Sequence, residues 1–193
     1  MHIADGILPV SLCVAGYAGA MAPVYVLGRR IEPVQVTRMG MLASAAFIAS
    51  LIHFTVAGTS IHLGLFGLMG ILLGRRAFPV VFVTLLFQTL LFQHGGLLSL
   101  GVNSVNMGLG SLSGWWLWRA PRVPEAVRAF LAGFAGILVP ALLMAAEFSM
   151  AGYGKGFYYI AAVYLAAATI EGLLTVAMVG FFRRVRPQFL VPA

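Results

Sequence analysis

The chain is 193 residues long, 61% hydrophobic and only 9% charged, with a formal net charge of +7. Soluble domains carry roughly a quarter charged residues, so this composition excludes one and marks a polytopic membrane protein. Residues 1–193 form a single integral membrane domain. Nucleic acid, the usual partner of a basic soluble chain, is excluded on the same ground, and the single cysteine, Cys13, rules out an internal disulfide.

The chain opens Met1-His2. A free amine, the His2 backbone amide and the His2 imidazole can close two fused chelate rings on one ion. Nitrogen donors of this kind suit divalent ions such as Ni(II) and Co(II). The apolar run that follows lacks the basic segment of a cleaved signal peptide, so Met1 is read as the mature terminus once its formyl group is removed. Asp5 precedes the first helix, where it caps that helix or accepts a hydrogen bond from an imidazole. Along the helix, small residues recur every four positions. The patch formed by Ala15, Ala18, Gly19 and Ala22 either packs internally or docks another membrane subunit.

A helical crossing needs ~20 mainly apolar residues. Such spans fall at 7–28, 39–57, 78–93, 101–118, 130–148 and 157–182, with a shorter apolar piece at 64–74. That piece cannot cross alone, and it is read as a partial helix completed by a loop dipping into the protein, where irregular backbone is tolerated. The expected fold is therefore all-α, a bundle of seven transmembrane segments with a short third one. Arg29, Arg30 and Arg38 then fall between spans one and two, and Arg75 and Arg76 between three and four. Arg119, Arg122 and Arg128 lie between five and six, and Arg183, Arg184 and Arg186 follow the last. Alternating crossings put all of these on one side, which the positive-inside rule makes the cytoplasm. The N-terminus is then outside the cell membrane and the C-terminus inside. The four histidines, His2, His53, His62 and His94, all map to the outer level, and together they suggest a metal site opening outward.

Gly64, Gly67, Gly70 and Gly74 share one helix face and read as a packing seam. After His94-Gly95-Gly96 come Asn103 and Asn106, one helix turn apart, suited to gluing helices or orienting a metal-bound imidazole. Glu147 and Glu171 lie in apolar spans, where a carboxylate is costly unless paired. Glu171 is thus a functional candidate, against the plainer reading of a buried carboxyl hydrogen-bonded across helices. Gly110-Ser111-Leu112-Ser113-Gly114 approaches the G-x-S-G signature of rhomboid-type serine proteases. However, Ser111 stands where that signature has glycine, and no histidine lies on a later span to act as a base. An intramembrane hydrolase using Ser113 and His94, or a non-transporting scaffold, are the alternatives to a metal transporter.

Met1-His2-Ile3-Ala4-Asp5-Gly6 resembles the M-H-I-x-[ED]-G start of the CbiM/NikM family, membrane substrate-binding components of energy-coupling-factor cobalt and nickel importers. Ser60-Ile61-His62 resembles its S-x-H segment, Leu91 through Met107 its H-G-G-L…L-G-x-N…M stretch, and Glu171-Gly172-Leu173-Leu174-Thr175 its final E-G-L-[IL]-T. The resemblance implies Co2+ or Ni2+ as the transported substrate and no catalytic residues or catalytic cofactor. It implies metal ligands at Met1, His2 and His62 in a roughly square plane of four nitrogens. Asp5, Ser60, His94, Asn103 and Asn106 would stand behind them, with His53 left structural. The implied partners are a membrane coupling subunit and cytoplasmic ATPases in the lipid bilayer, with a small accessory membrane subunit as an open choice. The chain itself carries no G-x-x-x-x-G-K-[ST] phosphate loop. It also departs from the family pattern where Leu63 replaces a common proline and where Phe66 replaces an expected polar residue, changes that bear on loop rigidity and metal preference.

Overall fold

The computed structural model describes residues 2–56, 59–152 and 156–190. Among them the hydrophobic runs become α1 (Val10–Gly28), α2 (Pro33–Ser50), α3 (Phe66–Leu73), α4 (Ala77–Phe92), α5 (Leu100–Trp118), α6 (Glu125–Met150) and α7 (Gly156–Val185). Four helical runs are long and apolar enough to cross a membrane: α1, the stretch Phe66–Phe92 that joins α3 to α4, α6 and α7. The helix order agrees with the apolar pattern. The expected start of α2 was six residues late, because its first turn is polar. Pro33 occupies the first helical position, and Glu32 and Gln35 close a capping box, the Glu32 N–H donating to Gln35 Oε1 at 3.2 Å. Such a box satisfies otherwise orphaned backbone groups without any apolar pattern.

The expected inward-dipping loop is instead a β-hairpin. Strands β1 (His53–Val56) and β2 (Thr59–His62) pair antiparallel, with His53 opposite His62. Thr55, Val56, Thr59 and Ile61 are β-branched and favour extended backbone. Pairing the two strands also satisfies backbone groups that an apolar surrounding would leave bare.

Every residue of α3 is buried. It is wedged between α5 and α6, where Gly67 lies against Ala132, Gly133 and Gly114, and Gly70 against Ser111 and Trp115. A Cβ on either glycine would run into backbone, so Gly67 and Gly70 do allow close helix approach. The expected four-glycine face is not made, since Gly64 precedes the helix and Gly74, at φ 61, ends it. The Ser111 and Ser113 hydroxyls donate back to Gly108 and Gly110 carbonyls at 2.7 Å within the same helix. In α1 the small residues divide. Gly16 abuts Val102 and Ala20 is fully buried, while Ala15, Ala18, Gly19 and Ala22 are exposed beside the exposed side chains of Val14, Met21 and Tyr25.

Candidate metal centre

The segment ahead of α1 is held by backbone contacts to the start of α5. Asn103 grips Ile3 at both polar atoms: the Ile3 N–H donates to Asn103 Oδ1 and Asn103 Nδ2 donates to the Ile3 carbonyl, each at 2.9 Å. The Ser99 hydroxyl at 2.6 Å and the Gly96 N–H at 3.2 Å donate to the same carbonyl. Ile3 itself is fully buried. Two residues on, the Asp5 carboxylate accepts the Leu98 N–H at 3.2 Å and the Ser99 N–H at 2.9 Å. Asp5 therefore serves the lead-in to α5. The expected cap on α1 is not made, since Pro9 stands at the N-cap before Val10 and no side chain caps the helix. Burial alone would raise the Asp5 carboxyl, but the donors from Ser99 and Leu98 outweigh it and hold it below its ordinary range.

The two glycines after His94 are explained by this docking. A Cβ on Gly96 would collide with Asp5, and one on Gly95, already at φ +89, would sit 3.2 Å from His2 Cβ. Only glycine lets the two segments come this close. Gln93, at φ 52, ends α4 and turns the chain so that His94 faces the same point.

His62 arrives at the end of β2, 4% exposed. Its Nδ1 lies 3.1 Å from the Leu63 carbonyl. A carbonyl only accepts, so this contact favours the proton on Nδ1 and leaves the Nε2 lone pair for a ligand bond. The ring centroids are 4.8 Å apart for His2–His62, 4.2 Å for His2–His94 and 5.1 Å for His62–His94. One ring nitrogen from each lies within 4.8 Å of the others. Three chain segments thus bring three imidazoles to one spot, which suits a divalent transition ion. His94, expected behind His2 and His62, stands beside them.

Of the other expected site residues, Asn106 points elsewhere: its Nδ2 donates to Glu147 Oε2 at 2.8 Å. Met1 and the Ser60 side chain lie outside the described parts of the structure, although Ser60 is on β2 opposite Thr55. Glu171, 2% exposed, accepts the Gly64 N–H at 2.5 Å and the Leu65 N–H at 3.2 Å on Oε1. It fastens the start of α3, two residues past His62, to α7. A cavity of about 330 Å³ lies beside this fastening, lined by Ile61, His62, Leu63, Ala166, Ala167, Ile170, Glu171 and Leu174. Ser99 was not foreseen. Its signal was only a polar residue three positions after Gly96, and its partners Ile3 and Asp5 lie more than 90 residues away.

Residues 2–189 match the family described as the cobalt uptake substrate-specific transmembrane region, CbiM. The cobalt transport protein CbiM of Geobacter sulfurreducens is 34% identical, over 98% of this chain and 61% of its own length. Cobalt transport protein CbiM 2 of Pelobacter propionicus is 33% identical over 95% and 91%. The putative fused nickel transport protein NikMN of Archaeoglobus fulgidus is 30% identical over 98% and 68%. The chain spans 61% of the length of the Geobacter protein and 61% of a putative metal transport protein from Haemophilus influenzae. A crystal structure of a transition metal transporter shares the fold, with a TM-score of 0.86 over 96% of this chain and 93% of that one at 22% identity. With the match running almost end to end, the chain belongs to the CbiM family of cobalt uptake substrate-specific transmembrane regions.

Proposed function

We propose that this chain captures cobalt or nickel as a divalent cargo ion at the outer face of the cell membrane. It does so as the substrate-binding component of an energy-coupling-factor transporter. The observation that carries this reading is the convergence of His2, His62 and His94, with ligand atoms within 4.8 Å of one another. Relatives named as cobalt and nickel transport proteins support the choice of ion.

In this reading His2 and His62 are ligands, joined by the His2 amide and the Met1 amine. Nothing in the chain needs to react: the imidazoles bind as neutral donors and release a proton where one was held. Asn103 and Ser99 hold the Ile3 backbone and so aim His2. Glu171 holds the far end of the His62 arm to α7. Release then follows when a coupling subunit tilts the protein and His62 parts from His2, with the cavity beside the arm giving it room. A cross-link between the His62 arm and α1 should stop release; normal release through the cross-link would refute this step.

Seven crossings with the N-terminus outside complete the proposal. Supporting it, α5 starts at the histidines and ends about 28 Å away, where the Trp118 carbonyl accepts from Arg128. At that same end Arg38 donates to the Leu72 and Phe189 carbonyls, and Arg183 pairs with Glu125. The exposed face of α1 at Ala15, Ala18, Gly19 and Ala22 is the proposed contact with the coupling subunit, which works with cytoplasmic ATPases. A hydrolase reading finds no support: Ser113 is bonded to its own helix, about 20 Å along α5 from the histidine end.

The test is metal titration of the purified chain against His94→Ala and a variant with one residue added before Met1. The extension keeps every side chain but displaces the amine. Undiminished affinity in the extended chain would remove the amine from the ligand set. A wild-type chain that binds neither ion would make it a scaffold.

A further inference from the structure

At the end of the molecule remote from the histidines, two pairs of arginines close on one cavity. Gly28, the last residue of α1, lies against Pro79 in the first turn of α4; a Cβ there would come 3.6 Å from the proline. That contact brings Arg29 and Arg30 beside Arg75 and Arg76. Arg76 Nη2 donates to the Arg30 carbonyl at 3.3 Å, and Arg30 is held at φ 57. Residues other than glycine adopt such backbone at a cost. The cavity between them is about 340 Å³ and is lined by the four arginines with Val26 and Leu27.

Four cations converge here, and among the described residues no acidic side chain lines the cavity. The chain has five acidic side chains. Asp5 is engaged by Ser99, Glu32 by the first turn of α2, Glu125 by Arg183, Glu147 by Asn106 and Glu171 by Gly64. None of them lines the cavity. Arg76 Nη1 is buried with no hydrogen-bond partner among the described residues. An unpaired buried donor beside like charges is unfavourable unless an anion completes the site. Guanidinium forks match phosphate oxygens in geometry as well as charge.

The flank of the cavity says what else the ligand carries. Val26 is 50% exposed and Tyr25 beside it 71%, an apolar flank at the arginine end of α1 beyond the Ala15–Ala22 patch. A free anion has no use for such a flank, whereas a lipid lays its glycerol and acyl chains along it. We propose that these arginines form a binding site for a phosphate group, presented by the headgroup of an anionic phospholipid. Basic pockets between helices at the cytoplasmic surface are suited to such headgroups. The site is independent of the metal centre and shares no residue with it.

The test uses the purified full chain in detergent, with lipid retention read by native mass spectrometry and stability by thermal melting. Phosphatidylglycerol, phosphatidylcholine and inorganic phosphate are added separately. Phosphatidylglycerol should bind and raise the melting temperature, while phosphatidylcholine should not. An R29Q/R75Q variant keeps the Arg76–Arg30 contact and should bind phosphatidylglycerol roughly 25-fold more weakly, at about fivefold per charge removed. R29K/R75K should lose less, and intact cobalt binding shows that both variants are folded. Stabilisation by phosphate alone, lost in R29Q/R75Q, keeps the phosphate site but makes its source soluble. Equal binding of the two lipids by the unaltered chain overturns the proposal, as does unchanged phosphatidylglycerol affinity in R29Q/R75Q. Unchanged lipid affinity with lost co-purification of a coupling subunit would give the cavity to a protein partner instead.

Discussion

In the proposed function Asn103 shapes the ion site through the Ile3 backbone, which it grips. Its amide matches both polar atoms of the Ile3 peptide, so one side chain fixes the position and tilt of the residue next to His2. Asn103→Ala leaves the buried Ile3 N–H without its acceptor, a loss of about 1–3 kcal/mol. The expected result is a lower melting temperature together with weaker metal binding, read by calorimetry on one sample. At His94 the size of the effect distinguishes two roles: removal of an orienting group costs about 10–100-fold in affinity, and removal of a ligand costs more. Asp5 gives a pH signature. Its carboxyl lies below its ordinary value of 3.8 in the folded state, so its stabilisation is present above that value and is lost as pH falls through the lowered one. Asp5 is exposed, so the effect is small. The melting-temperature gap between wild type and Asp5→Asn should close at low pH and stay open at pH 7. A gap that is the same at both would assign the Asp5 contact no charge dependence.

At the scale of elements, the His62 arm has two fixed ends. One is the hairpin, where His62 pairs in register with His53; the other is the Glu171 carboxylate on α7. Glu171→Gln keeps the shape but replaces one carboxylate acceptor with a donor against the Gly64 and Leu65 N–H groups. Metal affinity should fall by about 10–100-fold, as for other groups that orient a ligand, while helix content stays constant by circular dichroism. Unchanged affinity would detach α7 from the site. Gly96→Ala tests the other side: its methyl collides with Asp5 and must displace the terminal segment, so binding should be lost in a chain that is still helical. The helices were legible because each coincides with an apolar run, long in α1, α6 and α7 and short in α3. The hairpin was not, because four-residue strands show too little alternation to be distinguished from a loop. The polar opening of α2 was missed for a similar reason, since its capping box carries no apolar period. His2 was legible from the residues themselves, as the second residue of a terminal chelate, and the shared outer level of the histidines from span and charge placement. The pairing of His62 with His2 came from the family resemblance. The Ser99, Asp5 and Ile3 contacts join residues more than 90 positions apart, and no local pattern records them.

Over the whole molecule, the two kinds of charged or ligating residue are segregated by length along the helices. Histidines gather where α4 ends and α5 begins, and arginines gather where α5 ends and α4 begins. In the proposed orientation the first end meets the external ion and the second meets the cytoplasmic leaflet. Single cysteines in a Cys13→Ala background should label from outside at position 97 and from inside at position 122; the reverse pattern would invert the protein and place the metal centre in the cytoplasm. The central claim concerns the three imidazoles, and the most direct measurement is calorimetric titration of Co(II) and Ni(II) into the purified chain. His2→Ala and His62→Ala should each abolish binding while retaining the wild-type melting temperature of the ion-free protein. Wild-type affinity in either folded variant would contradict it.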